Sequence, residues 1–256
     1  MFVGGVPPDY FSATGQLWGN PVYNWKNMEQ TGFHWWISRI SHNLKLYDRL
    51  RFDHFRGFVG YWQVPASGKT AKKGKWVKTP SEAFFKVVTA VFPSLPFIAE
   101  DLGDIDEPVR EAIKALGIPG MRVMLFAFDG EPANPHLPKN HIKNSVVFTG
   151  THDTNTVKGW FKEESISKER KNLFKLVGRK LSAKQVSFEV VKLALTSVAD
   201  LSIVPLQDIL SLGSEARMNI PSKSFCNWQW RVLRKQLNSD LFGKFEEETI
   251  SYNRAF

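Results

Sequence analysis

The chain has 256 residues, of which 43% are hydrophobic and 23% are charged, a composition typical of folded globular proteins and not of disordered ones. No apolar run reaches the ~18 residues that a membrane-spanning helix needs, and the N-terminus has no signal-peptide pattern, so we expect no membrane partner. The single cysteine, Cys226, excludes an intrachain disulfide and a cysteine-based zinc site. It also favours a reducing compartment such as the cytoplasm.

The net charge of +9 is concentrated in two segments. Residues 54–81 contain six basic and no acidic side chains, and residues 162–184 contain eight basic and three acidic ones. Basic segments occur in nucleic-acid-binding proteins, but also in solvated loops and helix faces. Because the sequence has no zinc-finger, RNA-binding-sheet or helix-turn-helix pattern, the solvated surface is favoured and we predict no nucleic acid partner.

Short apolar runs alternate along the chain with stretches of helical periodicity. The first apolar run, at 2–6, leads into a loop rich in glycine and proline. The elements predicted next are a helix at 29–46, a strand at 50–55, a long loop to Thr79, a helix from Pro80, a strand at 96–102, a helix from the N-cap Asp106 to Gly117, strands at 121–128 and 145–153, helices at 167–180 and 184–198, a strand at 201–210 and a mostly helical tail at 231–250. This alternation favours an α/β fold with a parallel sheet covered by helices.

Polar side chains follow four of the predicted strands at their C-terminal ends. They are Asp53 and His54, Glu100 and Asp101, His152 and Asp153, and Gln207 and Asp208. In folds built on parallel strands this end of the sheet carries the chemistry. A single carboxylate there is often a helix N-cap. Three carboxylates that each follow an apolar run indicate a catalytic site, and a set of helix caps and surface acids is the alternative.

Three segments carry a family resemblance: RFDHFRGF (51–58), FIAEDLG (97–103) and GTHDTNT (150–156). They are similar to the catalytic segments of the 4-alpha-glucanotransferases, also called amylomaltases or disproportionating enzymes, within the alpha-amylase superfamily. The resemblance runs from Phe2 to Trp230 and includes the segments 5–23, 117–128, 134–138 and 205–221. The chain has HDTNT where the family usually has HDNDT, and CNWQWR where it often has GNWGWR; both changes leave the matched carboxylates in place.

The resemblance implies a (β/α)8 TIM barrel of which this chain holds about strands four to eight with their helices. In the family the nucleophile follows the fourth strand, and here that strand begins at residue 50. We therefore expect that the first three strands are absent and that residues 1–256 are the C-terminal part of a single catalytic barrel domain. The missing N-terminal part of the same enzyme is then expected to be a partner.

By resemblance Asp53 is the nucleophile, Glu100 is the general acid/base, and Asp153 is a third acid that binds sugar hydroxyls and stabilises the oxocarbenium-like transition state. Retaining transfer needs two carboxyl groups about 5–5.5 Å apart across the glycosidic bond. Arg51 lies two residues before Asp53 on the same strand face and is expected to keep it ionised. Glu100 follows the apolar run FIA near Asp53, so we expect it to hold its proton near neutral pH.

The resemblance also assigns six residues to substrate binding. They are Arg51, His152, Asp9, Tyr10, Trp18 and Asn219. In the family the loop at 5–23 lies over the acceptor side, and aromatic rings there offer a face to the C–H side of a pyranose. A packed loop core is the alternative for Tyr10. Trp228 is expected to belong to the core.

Other side chains are expected to carry no chemistry. His54 and Arg56 are expected to orient loops, and Cys226 to be an inert buried thiol. The histidines lack metal-ligand spacing and the sequence has no nucleotide-binding loop, so we predict no metal and no cofactor.

The predicted function is the disproportionation of alpha-1,4-glucans. A glucan segment is cleaved, held on Asp53 and passed to the 4-hydroxyl of another glucan, a maltooligosaccharide or glucose. The alternatives are an alpha-1,4-glucan hydrolase and a catalytically silent glucan-binding barrel fragment. A basic nucleic-acid-binding protein is a further, less favoured class.

Overall fold

The computed structural model describes residues 1–8, 12–103 and 105–254. They form two compact units, Met1–Gly120 and Met121–Phe256. Asp9 and Tyr10 lie outside the described residues, so their assignment to substrate binding stays a prediction. Within the described ranges, no helix is long and apolar enough to cross a membrane.

Nine strands and nine helices, several of them a single turn, are found in the described residues. The strands are β1 (Phe2–Val6), β2 (Gln16–Pro21), β3 (Leu50–Phe52), β4 (Gly60–Pro65), β5 (Lys75–Lys78), β6 (Phe97–Ala99), β7 (Gly120–Val123), β8 (Ser145–Phe148) and β9 (Leu201–Ile203). The helices are α1 (Trp25–Gln30), α2 (His34–Leu44), α3 (Ser81–Val91), α4 (Glu107–Leu116), α5 (Val157–Gly159), α6 (Ser167–Val177), α7 (Val186–Leu195), α8 (Leu206–Ile209) and α9 (Ser239–Ser251).

The first unit contains an antiparallel sheet with the strand order β2-β1-β4-β5. The predicted long loop up to Thr79 is therefore wrong, because β4 and β5 pair within it, with Trp62 opposite Trp76. The two indole rings are 5.4 Å apart, edge to face. The two strands are only six and four residues long. In such short runs the alternation of apolar and polar residues does not distinguish a strand from a loop.

The first unit also contains the parallel strands that carry Asp53 and Glu100, two of the three predicted catalytic residues. β3 pairs with β6 in the register Leu50↔Phe97 and Phe52↔Ala99. The predicted strand 50–55 ends at Phe52 because His54 adopts a left-handed backbone, with φ 46°, and a 3-10 turn follows it. Because the chain turns directly after β3, the side chains that follow Phe52 lie at the end of this strand.

Aromatic side chains form most of the core of the first unit. Phe58 and Phe84 stack with their ring centroids 5.1 Å apart, and Phe84 is fully buried. The predicted helix at 29–46 is broken into α1 and α2, because Gly32 and Phe33 both adopt left-handed backbone conformations. The burial of the Phe33 ring against Phe84, at 5.3 Å, offsets the strain that this backbone costs a bulky residue.

The second unit contains the parallel pair β8 and β9, with Val146 opposite Leu201. The predicted helices at 167–180 and 184–198 are confirmed as α6 and α7, each slightly shorter. Four predicted boundaries in this unit are wrong. The strand at 145–153 ends at Phe148, four residues before His152. The strand at 121–128 gives way to a 3-10 turn after Val123, the strand at 201–210 ends at Ile203 before Pro205 caps α8, and the tail is helical only from Ser239.

Candidate active site

Asp53 and Glu100 occupy equivalent positions at the C-terminal ends of two neighbouring strands. Phe52 of β3 is paired with Ala99 of β6, so each carboxylate belongs to the residue that follows a paired position. The backbone continues this alignment, because Glu100 N–H donates to Phe52 O at 3.0 Å and Phe55 N–H donates to Glu100 O at 3.1 Å. The sequence prediction that these two strand ends come together is thus borne out by the pairing.

Two backbone N–H groups hold the carboxyl group of Glu100. His54 N–H donates to Oε2 at 2.6 Å, and Leu102 N–H donates to Oε1 at 2.9 Å. Burial raises the pKa of Glu100, the Leu102 N–H acts in the opposite direction, and the charge of Asp53 raises the pKa further. The net result favours the protonated form, as a general acid requires.

Asp53 has a different environment. Its Oδ1 lies 2.8 Å from Nη1 of Arg51, and its side chain is 78% exposed. The ion pair is the one that the spacing of Arg51 and Asp53 on one strand face predicts. The carboxylate next to a fixed cation therefore remains open to an incoming reactant.

His54 links the two carboxylates through the backbone and carries an uncharged ring. Burial lowers its pKa to about 4, the charge of Asp53 opposes this shift, and Arg56 adds to it. The ring of Trp18 meets the imidazole edge to face, with centroids 4.7 Å apart. Trp18 remains 44% exposed, so the predicted sugar-binding ring lies beside the catalytic strand end with part of its surface open.

A cavity of about 430 Å³ adjoins Asp53 within the first unit. Its lining includes Arg51, Asp53, His54, Trp18, Tyr23 and Trp36. A cleft that combines aromatic rings, a carboxylate and a guanidinium suits a polyhydroxylated ligand, because the rings contact C–H faces and the polar groups bind hydroxyls.

A second cluster of predicted site residues lies in the second unit, around Asp153. Asn219 Nδ2 donates to Oδ1 of Asp153 at 2.6 Å, and Nε2 of His152 lies 3.3 Å from Oδ2. Asn219 N–H also donates to the backbone oxygen of His152 at 3.0 Å. His152, Asp153 and Asn219, which are 67 residues apart at the extremes, are therefore brought together as the family resemblance predicts.

Arg217 fixes this cluster and was missed from the sequence. Its Nη2 donates to the backbone oxygen of Asp153 at 2.7 Å and its Nε donates to that of Asn219 at 2.8 Å. Its Nη1 forms an ion pair with Glu164 at 2.9 Å. No spacing pattern in a sequence predicts that an arginine binds the carbonyl oxygen of a residue far along the chain. The sequence signal available for Arg217 was its position two residues before Asn219.

Asp208 is the most deeply buried acid in this cluster's surroundings, at 2% exposure. The hydroxyl of Thr149 donates to Oδ2 at 2.6 Å, and Val157 N–H donates to Oδ1 at 2.8 Å. Burial raises its pKa to about 6. The prediction that Gln207 and Asp208 lie at a strand end is wrong, because both belong to α8, and the carboxyl group braces both ends of the loop that carries Asp153.

Two further expectations are wrong. Trp228 is 51% exposed and not part of a core, and the thiol of Cys226 is exposed and not buried. Both residues have a left-handed backbone, with φ 61° and 60°. By resemblance, the family often has GNWGWR in this segment, with glycines in place of Cys226 and Gln229. In the part of the chain that the structure describes, no group of three or more His, Cys, Asp or Glu side chains is arranged to hold a metal ion.

Parallel strands that are followed by helices and that carry carboxylates at their C-terminal ends are the arrangement of a (β/α)8 barrel. A sequence model of the 4-alpha-glucanotransferase family matches residues 2–236. The chain belongs to the 4-alpha-glucanotransferase family.

Individual relatives agree with this assignment. The chain is 52% identical to the 4-alpha-glucanotransferase of Aquifex aeolicus over 233 residues, which cover 91% of this chain and 47% of the relative. It is 46% identical to the chloroplastic/amyloplastic 4-alpha-glucanotransferase of Solanum tuberosum, over 91% of this chain and 40% of the relative. The chain thus spans about half the length of the curated relatives it matches.

The fold agrees with a solved structure. Amylomaltase from Streptococcus agalactiae, in complex with acarbose, superposes with a TM-score of 0.93 at 36% identity, covering 100% of this chain and 51% of that one. The predicted fold class, part of a (β/α)8 TIM barrel, is confirmed.

Proposed function

We propose that this chain provides the catalytic acid/base and nucleophile of a 4-alpha-glucanotransferase acting on alpha-1,4-glucans. The observation that carries the proposal is the aligned pair Asp53 and Glu100, which combines an exposed carboxylate beside Arg51 with a partly buried carboxyl group of raised pKa. Retaining glycosyl transfer requires this division between a nucleophile and a general acid.

In the first half of the proposed reaction, Glu100 donates its proton to the glycosidic oxygen while Asp53 attacks the anomeric carbon. The C–O bond to the leaving glucan breaks, and a glycosyl ester forms on Asp53. In the second half, Glu100 takes the proton of the acceptor 4-hydroxyl, whose oxygen displaces Asp53 from the anomeric carbon. Two inversions at one carbon give net retention, and both carboxyl groups return to their starting states.

The surroundings of Glu100 support both halves of this cycle. Burial favours the protonated acid before the first step, and the two N–H groups of His54 and Leu102 stabilise the carboxylate that remains after it. His54, uncharged at neutral pH, adds no positive charge that would drive Glu100 to lose its proton early.

Asp153 has the proposed role of binding sugar hydroxyls and stabilising the oxocarbenium-like transition state. Its two oxygens are already oriented by Asn219 and by His152, and Arg217 holds its backbone. His152 and Asn219 are proposed to bind hydroxyls next to it. Arg51 and Trp18 have the same proposed role beside Asp53, as do Asp9 and Tyr10 on the basis of resemblance alone.

The proposed substrates are alpha-1,4-glucans, maltooligosaccharides and glucose, and the similarity to an amylomaltase crystallised with acarbose supports a pseudo-oligosaccharide ligand. We propose that residues 1–256 are the C-terminal part of one catalytic barrel domain, and that activity requires the remaining barrel strands. The single cysteine supports a reducing, cytoplasmic location. The chloroplastic/amyloplastic name of the potato relative makes a plastid the second candidate.

Product analysis tests the proposed reaction. The protein used is this chain joined to the part of the A. aeolicus relative that it does not match, termed the complemented enzyme below. Incubation with maltotriose should give glucose and longer maltooligosaccharides with little net gain of reducing ends. A steady rise in reducing ends without longer products would instead support the hydrolase. Retention of maltooligosaccharides without turnover would support a silent glucan-binding chain.

A further inference from the structure

Trp228 presents an exposed indole on a backbone that bulky residues seldom adopt. Trp228 is 51% exposed, and its φ is 61°. A left-handed backbone at a residue other than glycine persists where surrounding contacts enforce it, and such positions concentrate at ligand sites. Burial of the ring does not explain the conformation, because half of the residue faces solvent.

Hydrogen bonds on both sides of Trp228 hold its backbone in place. Its N–H donates to Met218 O at 2.6 Å, and Arg231 Nη1 donates to its carbonyl oxygen at 2.9 Å. The neighbouring Asn227 accepts from Ile220 N–H at 3.0 Å through its side-chain oxygen. The segment that carries Trp228 is therefore tied to the residues on either side of Asn219.

The ring of Trp228 lies against the Asp153 cluster. Its centroid is 5.3 Å from that of His152, with the planes tilted by 33°. The side chains of His152 and Asp153 remain 39% and 47% exposed, and Asn219 donates to Asp153. An open aromatic face thus stands next to a carboxylate, an imidazole and an amide, within the same unit.

This combination matches the two faces of a pyranose. Hydroxyl groups around the ring edge bind planar carboxylate and amide groups, and the C–H face packs on an aromatic ring. We propose that Trp228 is a substrate-binding residue whose indole stacks on a glucose unit of the glucan at the Asp153 cluster. The proposal rests on the proposed function and adds to it a binding residue that lies outside the three catalytic segments.

Stacking has a consequence that charge and hydrogen bonding do not share. A phenyl ring retains most of the contact with a C–H face, whereas a methyl group removes it. Trp228→Phe should therefore bind maltoheptaose within about threefold of the wild type, and Trp228→Ala should bind it about tenfold more weakly. Phe225→Ala is the matched control, because Phe225 is an exposed aromatic residue of the same segment, at 68% exposure.

The test measures the dissociation constant of maltoheptaose for the full 256-residue chain by ligand-observed NMR titration, together with the thermal unfolding midpoint of each variant. Weakened binding in Trp228→Ala alone, at an unchanged midpoint, supports the proposal. Wild-type affinity in Trp228→Ala overturns it. A loss of affinity shared by Phe225→Ala and accompanied by a lower midpoint also overturns it, since the segment then acts through folding.

The outcome also separates this proposal from the proposed function. A wild-type chain that binds no maltoheptaose would overturn the stacking role, whereas the proposed function is decided separately by product analysis of the complemented enzyme. Binding that is lost in Asp153→Asn and unchanged in Trp228→Ala would contradict the stacking role alone.

Discussion

Asp53 and Glu100 follow paired residues of two adjacent strands, and yet their surroundings differ. The Asp53 side chain is mostly exposed and pairs with Arg51. Glu100 is partly buried, and its carboxyl group accepts hydrogen bonds from two backbone N–H groups. In water the two carboxyl groups would have nearly the same affinity for protons, so the difference in function comes from burial and neighbouring charge. The same strand geometry therefore supplies both the proposed nucleophile and the proposed acid.

We expect Asp53→Asn and Glu100→Gln each to remove nearly all transfer activity of the complemented enzyme. The two groups act together in one transition state, so losing either should cost several kcal/mol of transition-state stabilisation, roughly a thousandfold or more in kcat/KM. Glucose release from maltotriose measures the loss. Lys72→Ala and Lys73→Ala, in the segment between β4 and β5, are controls that should retain activity. Activity retained by Asp53→Asn in a preparation free of wild-type enzyme would contradict the nucleophile assignment.

Asp208 predicts a specific dependence of stability on pH. Burial raises its pKa from 3.8 to about 6, so the folded state favours the protonated carboxyl group. The resulting contribution to stability is complete below pH 3.8 and is lost as the pH rises towards 6. The loss corresponds to roughly 3 kcal/mol.

Asp208→Asn removes this titration but keeps an oxygen for Val157 N–H and an amide for Thr149. Urea unfolding of both proteins at several pH values checks the prediction. The free energy of unfolding of the wild type should fall relative to that of Asp208→Asn between about pH 4 and pH 6. A constant difference over that range would show that Asp208 is ionised throughout in the folded protein.

Contacts between residues of one motif were predicted from the sequence, whereas contacts made by residues far along the chain were missed. Arg51 and Asp53 are two residues apart on one strand, so their ion pair follows from strand geometry. Arg217 reaches Asp153 from 64 residues away, and only tertiary structure brings them together. Trp228 was expected in the core because indole rings are usually buried. That general preference does not predict the backbone conformation that leaves this ring half exposed.

Helix α4 shows how local signals fix one element. Asp106 caps it, accepting from Val109 N–H at 3.4 Å, and Gly117 ends it in a left-handed conformation, with φ 64°. Both boundaries were predicted from the sequence, because caps and left-handed glycines are local features. Asp106 also accepts from Arg56 Nη2 at 2.8 Å, which lowers its pKa and ties the start of α4 to the turn after Asp53.

Asp106→Ala should therefore lower the free energy of unfolding by about 1–2 kcal/mol through the lost cap. Asp106→Asn is the matched control, because asparagine caps helices about as well as aspartate but does not pair with Arg56 as an ion. Urea unfolding should rank the wild type first, Asp106→Asn second and Asp106→Ala last. Equal stability of the alanine and asparagine variants would mean that the cap contributes nothing.

The hairpin formed by β4 and β5 was not found from the sequence, and neither was β2, which lies within the predicted glycine- and proline-rich loop. Its strands are joined by nine residues with many lysines, which resemble a solvated loop. What selects the strands is the cross-strand contact of Trp62 with Trp76 and the stacking of the Arg56 guanidinium over Trp76 at 4.1 Å. Such contacts depend on partners in space, so periodicity in the sequence does not reveal them.

For the molecule as a whole, the barrel was predicted through the family resemblance, and the resemblance rests on segments at strand ends. Strand–helix alternation alone favours a parallel sheet without distinguishing a closed barrel from an open one. Among the described residues, β3 pairs with β6 and with no other strand. Asp53 thus follows a strand with one unpaired edge, and closure of a barrel removes such edges.

We expect the 256-residue chain to have little activity on maltotriose by itself, and the complemented enzyme to be active. Among the described residues, β3 has a strand partner on one side, β6, and further strands would fix the position of Asp53. Initial rates for the two proteins at equal concentration make the comparison. A monomeric chain that unfolds cooperatively and is active alone would show that no further strand is needed.

Trapping the glycosyl intermediate tests the proposed roles of Asp53 as the nucleophile and of Glu100 as the acid/base. The complemented enzyme with Glu100→Gln is incubated with maltotriosyl fluoride, a donor whose leaving group needs no acid, and its peptides are analysed by mass spectrometry. We expect a maltotriosyl ester on the peptide that contains Asp53, since the base that would activate an acceptor is absent. An adduct on another residue, or turnover of the donor by a variant that also carries Asp53→Asn, would contradict it.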